Sequence, residues 1–196
     1  MTRRIVVMLS VLLLVAAGMG IYAWHLHKKV MAEEERLAVQ QQTPPPPASG
    51  PTATVTLFLA SDADATLYKK QVSIPLPAER SEQARAILQA LLGTYLQPGS
   101  PHPIGAGSDV RDVYLLNDGS AVVDTNAAFA DAHPSGVLAE ELTITSIVAT
   151  LNANDPKITS VKIIVNGAER DTLAGHADLR RFYLASNMGQ LAKELQ

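Results

Sequence analysis

The sequence predicts an α+β domain, a mainly antiparallel sheet with two helices packed on one face, preceded by an N-terminal transmembrane helix. Three patterns predict it: an uncharged apolar run from Ile5 to Trp24, short stretches whose apolar residues alternate with period two, and two longer stretches whose apolar residues recur every three or four positions.

The N-terminal run, IVVMLSVLLLVAAGMGIYAW, holds 20 residues without a charge. A helix of that length spans roughly 30 Å, the thickness of a bilayer's hydrocarbon core. A cleaved signal peptide is the competing reading, since Arg3 and Arg4 form a charged head and Ala16-Ala17-Gly18 offers small residues for cleavage. A retained signal-anchor is favoured because Ile21, Tyr22 and Trp24 carry the apolar stretch onward and place two aromatics at the interface. Arg3 and Arg4 on one side nearly balance Lys28 and Lys29 on the other, so orientation rests on the short head. The expected layout is a cytoplasmic head at 1–4 and a single pass of the cytoplasmic membrane at 5–24. A polar helical stalk follows at 25–42, a proline-rich linker at 43–51 and an extracytoplasmic domain at 52–196.

Helix formers dominate the stalk, HLHKKVMAEEERLAVQQQ, and its apolar positions Leu26, Val30 and Leu37 are too few for a coiled-coil seam. His25 and His27 point to different sides of a helix and make no metal site. The four prolines of TPPPPASGP fix φ and remove backbone donors, which enforces an extended spacer.

Composition narrows the chemistry. The chain has no cysteine, which excludes disulfides, thiol nucleophiles, cysteine metal sites and a lipidated cysteine. Residues 51–196 carry 11 basic and 16 acidic side chains, a balance of −5. Nucleic acid is therefore not an expected partner, because neutralising phosphates needs clustered Lys and Arg.

Within the domain, Thr54–Ala60 and Lys70–Leu76 read as a β-hairpin across the polar SDADAT loop. Ser81 is the expected N-cap of a first helix, whose Ala84, Ile87, Leu88, Leu91 and Leu92 form one apolar stripe, with Gly93 as its stop. Three prolines and three glycines make Gln97–Asp109 a loop. Val110–Leu116 and Ala121–Asp124 flank Asn117-Asp118-Gly119, a hairpin signal. The second helix is expected over Gly136–Asn152, burying Val137, Leu138, Leu142, Thr145, Ile147, Val148 and Leu151, and ending before Pro156. Val161–Val165 is a strand, Asn166-Gly167 a turn with positive φ, and Glu169–Leu173 the returning strand. Two helical stripes buried on one face leave the sheet's other face free for solvent or a partner.

This chain resembles the GerMN domain of sporulation and spore-germination proteins. The likeness rests on VTLFLA at 55–60, AILQALLGTYL at 86–96, HPIGAGSDVRDVYLLNDGSAVVDTNAAF at 102–129, ITSIVATL at 144–151, VKIIVNG at 161–167 and TLAGHADLRRFY at 172–183. It implies a noncatalytic α/β module, similar to the ring-building modules of secretion machinery, displayed outside the cytoplasmic membrane in envelope or spore-coat assemblies. Unlike many members, this sequence holds one copy and no lipid-attachment cysteine.

No motif points to catalysis: G-x-S-x-G, H-E-x-x-H and P-loop patterns are all missing, and Gly105, Gly107 and Val110 fail the dinucleotide spacing. No catalytic, cofactor or metal residue is assigned. Candidate structural or interaction residues are Asp124, Gly175, His176 and Asp178. Asp124 reads as a strand-end acid capping the Asn126 turn, and Gly175-His176 as a turn whose imidazole bonds to backbone. Ser108 sits in the glycine-rich loop, and Glu141 or Asn152 could pin the second helix to the GHAD segment. Three functions remain open. The first is an envelope scaffold contacting other envelope proteins or itself, through the exposed sheet face or a strand edge. The second is a binder of a small glycan, peptide or lipid between the 97–109 loop and the GHAD turn. The third is a hydrolase using His176, which requires a concave pocket holding His176 beside a carboxylate.

Overall fold

The computed structural model describes residues 50–187. The expected membrane helix, stalk and most of the linker, with His25 and His27, lie outside the described residues, as does the C-terminal stretch after Asn187. Among the described residues, no helix is long and apolar enough to cross a membrane.

The elements run β1 (Thr52–Ser61), β2 (Thr66–Pro75), α1 (Arg80–Tyr95), β3 (Val110–Leu115), β4 (Ser120–Thr125), α2 (Ala127–Asp131), α3 (Val137–Asn154), β5 (Ser160–Val165) and β6 (Tyr183–Leu184). They form an α+β fold with two main helices. The strands divide between a β1–β2 hairpin and a four-stranded sheet ordered β3-β4-β5-β6. That sheet is mixed: β3–β4 and β5–β6 are antiparallel, while β4–β5 is parallel because α2 and α3 cross between them.

Period two sorts each strand into faces. Val55, Leu57 and Leu59 of β1 are buried with Val113, Val123, Ile163 and Tyr183 of the larger sheet. The α1 stripe of Ala84, Ile87, Leu88, Leu91 and Leu92 fills the same core, as predicted. Helix α3 buries more than one stripe, since Thr143, Ile144, Ser146 and Thr150 are inside together with Leu142, Ile147, Val148 and Leu151. Its first turn is different, with Val137 and Leu138 exposed rather than buried as expected.

Thr150 is inside because of the edge of β1. Alternate N–H groups of β1 point away from β2 and are taken by helix side chains: Thr56 donates to Asn154 Oδ1, Phe58 to Thr150 Oγ1 and Ala60 to Tyr95 Oη, at 3.0, 2.9 and 2.9 Å. Two helices thus close a strand edge that would otherwise be open. Tyr95 must reach β1, so α1 continues through Gly93 instead of stopping there. At its start, Glu79 rather than Ser81 is the cap, because its extended backbone lets the carboxylate accept the N–H of Ser81 and of Glu82.

The two expected turns differ in type. Asn166 and Gly167 both have positive φ and form a two-residue hairpin turn between Val165 and Ala168. The other hairpin needs three residues, with Gly119 alone at positive φ; a Cβ there would lie 2.8 Å from Lys157 O. No strand returns over Glu169–Leu173: past an isolated bridge at Ala168 the chain leaves the sheet, and β6 is the short Tyr183–Leu184. The short helix α2, absent from the sequence reading, is capped by Asn126, which accepts from Phe129 N–H, and it buries Phe129.

Candidate functional site

Glu140, in the first turn of α3, explains why the chain leaves the sheet after Ala168. Its carboxylate is fully buried. Oε2 accepts the N–H groups of Ala174, His176 and Ala177 at 3.1, 2.9 and 2.8 Å. Oε1 accepts from Gly136 N–H at 3.2 Å and pairs with His176 Nδ1 at 2.8 Å. Backbone donors that a strand would offer to a ladder go to one side chain instead. Gly175, at φ +118°, allows the loop to curl around that carboxylate. Burial by itself pushes the Glu140 carboxyl up, but the bonds from Ala177 N–H, the His176 ring, and the N–H groups of Ala174 and His176 hold it down at about 2.

His176 therefore bonds to a carboxylate, not to backbone as expected. Glu141, one residue away, is exposed, and Asn152 donates to Ile158 O at 2.9 Å. The pin between α3 and the GHAD loop is Glu140, which the sequence reading missed. Asp178 accepts from Arg180 N and Nε at 3.0 and 2.9 Å, and the Arg180 side chain holds its carboxyl below the usual range. The Asp178 carbonyl accepts from Tyr183 Oη at 2.8 Å.

A cleft of about 190 Å³ opens beside this latch, lined in part by Val137, Glu141, Ile144, His176, Asp178 and Arg181. It does place His176 beside a carboxylate. Tyr183 brings the one hydroxyl among the lining residues, and it donates to Asp178 O; the amides of Ala174, His176 and Ala177 are consumed by Glu140.

A second polar cluster, also missed, runs from the exposed Asp62 into the core. His102 Nδ1 meets Asp62 Oδ1 at 2.5 Å, and its Nε2 lies 2.6 Å from Thr143 Oγ1. The same hydroxyl lies 2.7 Å from His133 Nε2, while His133 Nδ1 donates to Pro134 O at 2.8 Å. His102, His133 and Thr143 are all buried, so this acid–imidazole–hydroxyl order joins two loops to α3 and offers no access to a substrate. Ser108 is likewise buried and donates to Gly105 O at 2.6 Å, closing a turn.

Asp124 does not cap the Asn126 turn. It is buried, its Oδ1 accepts from Gly167 N–H at 2.8 Å, and Oδ2 lies 3.7 Å from Arg111 Nε. A bulge at Arg111 supplies that guanidinium, which also donates to Asn166 Oδ1 at 3.2 Å. Asn126 is satisfied through its own amide.

Asp124 stands on the sheet face turned away from the buried rows. Tyr114, Val122 and Lys162 form one cross-strand row of that face, with Phe182 beside Lys162, whose ammonium lies 5.8 Å from the Phe182 ring centroid. Tyr114 and Phe182 are 48% and 43% exposed, and Leu184 is 48% exposed, so the face presents large apolar side chains to its surroundings.

Residues 56–171 match the family described as Germane, sporulation and spore germination. Three solved structures are similar to this chain. A candidate lipoprotein from Clostridium perfringens is 19% identical over 69% of this chain and 89% of that one, with a TM-score of 0.47. The tandem GerMN domains of the sporulation protein GerM from Bacillus subtilis are 19% identical over 67% of this chain and 45% of that one, with a TM-score of 0.50. The first GerMN domain of the same protein is 20% identical over 69% and 99%, with a TM-score of 0.47. No curated protein matches the chain.

Proposed function

The chain belongs to the Germane family, sporulation and spore germination, and from that membership we propose that its domain is a noncatalytic docking module of the cell envelope. Residues 5–24 anchor it in the cytoplasmic membrane, residues 25–51 hold it away from the bilayer, and the open face of the four-stranded sheet binds another envelope protein or another copy. The observation that carries this reading is the exposure of Tyr114, Phe182 and Leu184 on a face that, among the described residues, no helix covers. Aromatics on a stiff sheet lose little entropy on binding and supply much of an interface's energy.

The internal bonding of the polar groups around His176 favours binding over catalysis. Its Nδ1 is engaged by Glu140, the Asp178 carboxylate by Arg180 and the Tyr183 hydroxyl by the Asp178 carbonyl, so these polar groups of the cleft are tied up in internal bonds. The cleft itself supports a second reading, a site for a small envelope ligand, which a thermal-shift screen against envelope glycans, peptides and lipids tests.

Photo-crosslinkers at Val122 and Ile164 in the full-length protein test the docking face in cells. The reading expects a discrete crosslinked species that Tyr114→Glu with Phe182→Glu abolishes while the domain stays folded. Recovery of only an uncrosslinked monomer overturns it.

A further inference from the structure

We propose that the outer edge of β2 is a docking site for an acidic extended segment of a partner protein, added as a third strand to the β1–β2 sheet. This surface is distinct from the open face of the larger sheet, and the proposal stands whether or not that face binds anything.

The hydrogen-bond phase of the hairpin defines the edge. Thr56, Phe58 and Ala60 point their N–H groups away from β2, toward Asn154, Thr150 and Tyr95. Their cross-strand partners Gln71, Lys69 and Leu67 are therefore in non-hydrogen-bonded pairs, and so is Ser73 opposite Thr54. The N–H and C=O groups of Leu67, Lys69, Gln71 and Ser73 point outward, and among the described residues none of them finds a partner. Pro75, which has no donor, closes the register. Among the described residues, one edge of this hairpin is capped by three side chains, while four successive outward positions of the other have no hydrogen-bond partner.

Charge selects the occupant. Lys69 and Lys70 stand at the centre of the edge, both exposed, and neither pairs with a carboxylate among the described residues. Lys69 lies 5.3 Å from the Phe58 ring centroid, and Lys70 projects from the opposite face of the hairpin. Edge lysines oppose pairing with a like strand. If a second copy aligned its β2 against this one about the centre, lysine would face lysine, which is unfavourable across strands. A segment carrying adjacent acidic residues places one carboxylate on each face, opposite each lysine, while its backbone completes the ladder.

Two short blocked peptides test this on the full-length chain in nonionic detergent, one alternating threonine and valine around a central Glu-Glu pair, the other carrying Lys-Lys there. Fluorescence anisotropy reads affinity, and NMR amide exchange reads the site. The Glu-Glu peptide is expected to bind about tenfold tighter than the Lys-Lys peptide and to slow exchange at Leu67, Lys69, Gln71 and Ser73. Lys69→Glu with Lys70→Glu reverses the preference. Should that variant misfold, Lys69→Gln with Lys70→Gln erases it. Gln71→Pro removes only an outward donor, so the hairpin ladder persists and both peptides lose binding. Equal affinity for the two peptides, unchanged exchange at the four amides, or protection of those amides by self-association overturns the proposal.

Discussion

The Glu140 carboxylate and the His176 ring meet at 2.8 Å and join the first turn of α3 to a loop 36 residues further along the chain. Three backbone amides of that loop converge on the same carboxylate, so one buried side chain does the work of a missing strand.

Removing the acceptor should therefore release the whole loop. Glu140→Ala takes the acceptor from four backbone N–H groups, three in the loop and that of Gly136, and is expected to cost roughly 3–5 kcal/mol in denaturant unfolding. His176→Ala removes one bond from a ring that is 44% exposed and should cost about 1 kcal/mol. Equal losses from the two variants would show that His176, not the carboxylate, holds the latch.

Acid should loosen the same contact. Glu140 is lowered from 4.5 to about 2 in the folded state, so between those values the unfolded chain binds the extra proton. Its contribution is complete above pH 4.5 and is lost as pH falls through about 2. It amounts to at most about 3 kcal/mol, less to the extent that water screens the site. His133 acts in the same sense at higher pH: burial lowers its pKa from 6.5, so stability falls as pH drops below that value. Urea midpoints measured across pH should show both limbs, and Glu140→Gln should flatten the lower one.

The Pro134 carbonyl fixes one proton of the buried histidine cluster. His133 faces the Pro134 carbonyl through Nδ1, which must carry the proton, so Nε2 accepts from Thr143. That hydroxyl has a single proton, for which Ala139 O at 3.1 Å is the competing acceptor, and the same oxygen lies 2.6 Å from His102 Nε2, whose Nδ1 meets Asp62. Nitrogen-15 NMR should find His133 as the Nδ1–H tautomer. Thr143→Val, which leaves ring nitrogens unpaired, should destabilise by about 2–3 kcal/mol.

At the closed edge of β1, Tyr95→Phe deletes the acceptor of Ala60 N–H. The expected cost is about 1–2 kcal/mol, with faster exchange at Ala60 and little change at Leu59, whose N–H belongs to the hairpin. Uniform exchange along β1 in the variant would mean that the hydroxyl does not cap the edge.

Much of the fold could be read locally. The α1 stripe, the β1–β2 pairing and the positive φ at Asn166-Gly167 each follow from a periodicity or a turn chemistry confined to a few neighbours. Asp124 was recognised as a capping acid but assigned to the wrong turn. The choice between Asn126 and Gly167 depends on β4 lying beside β5, a separation of 43 residues. Glu140 carried only a weak signal, an acid in the first turn of a helix, and its neighbour Glu141 carried the same one.

From its sequence alone this chain determined where strands and helices form, because period two and period 3.6 are written in adjacent residues and burial rewards them directly. Tertiary structure decided where the leftover polar groups find partners. It placed Glu140 under the GHAD loop, Tyr95 and Asn154 along the β1 edge, and His102 against Thr143, while among the described residues the β2 edge and the Tyr114–Phe182 face stay without a partner. A hydrogen bond depends on distance and direction between groups far apart in the chain, and that information exists only once the core has packed.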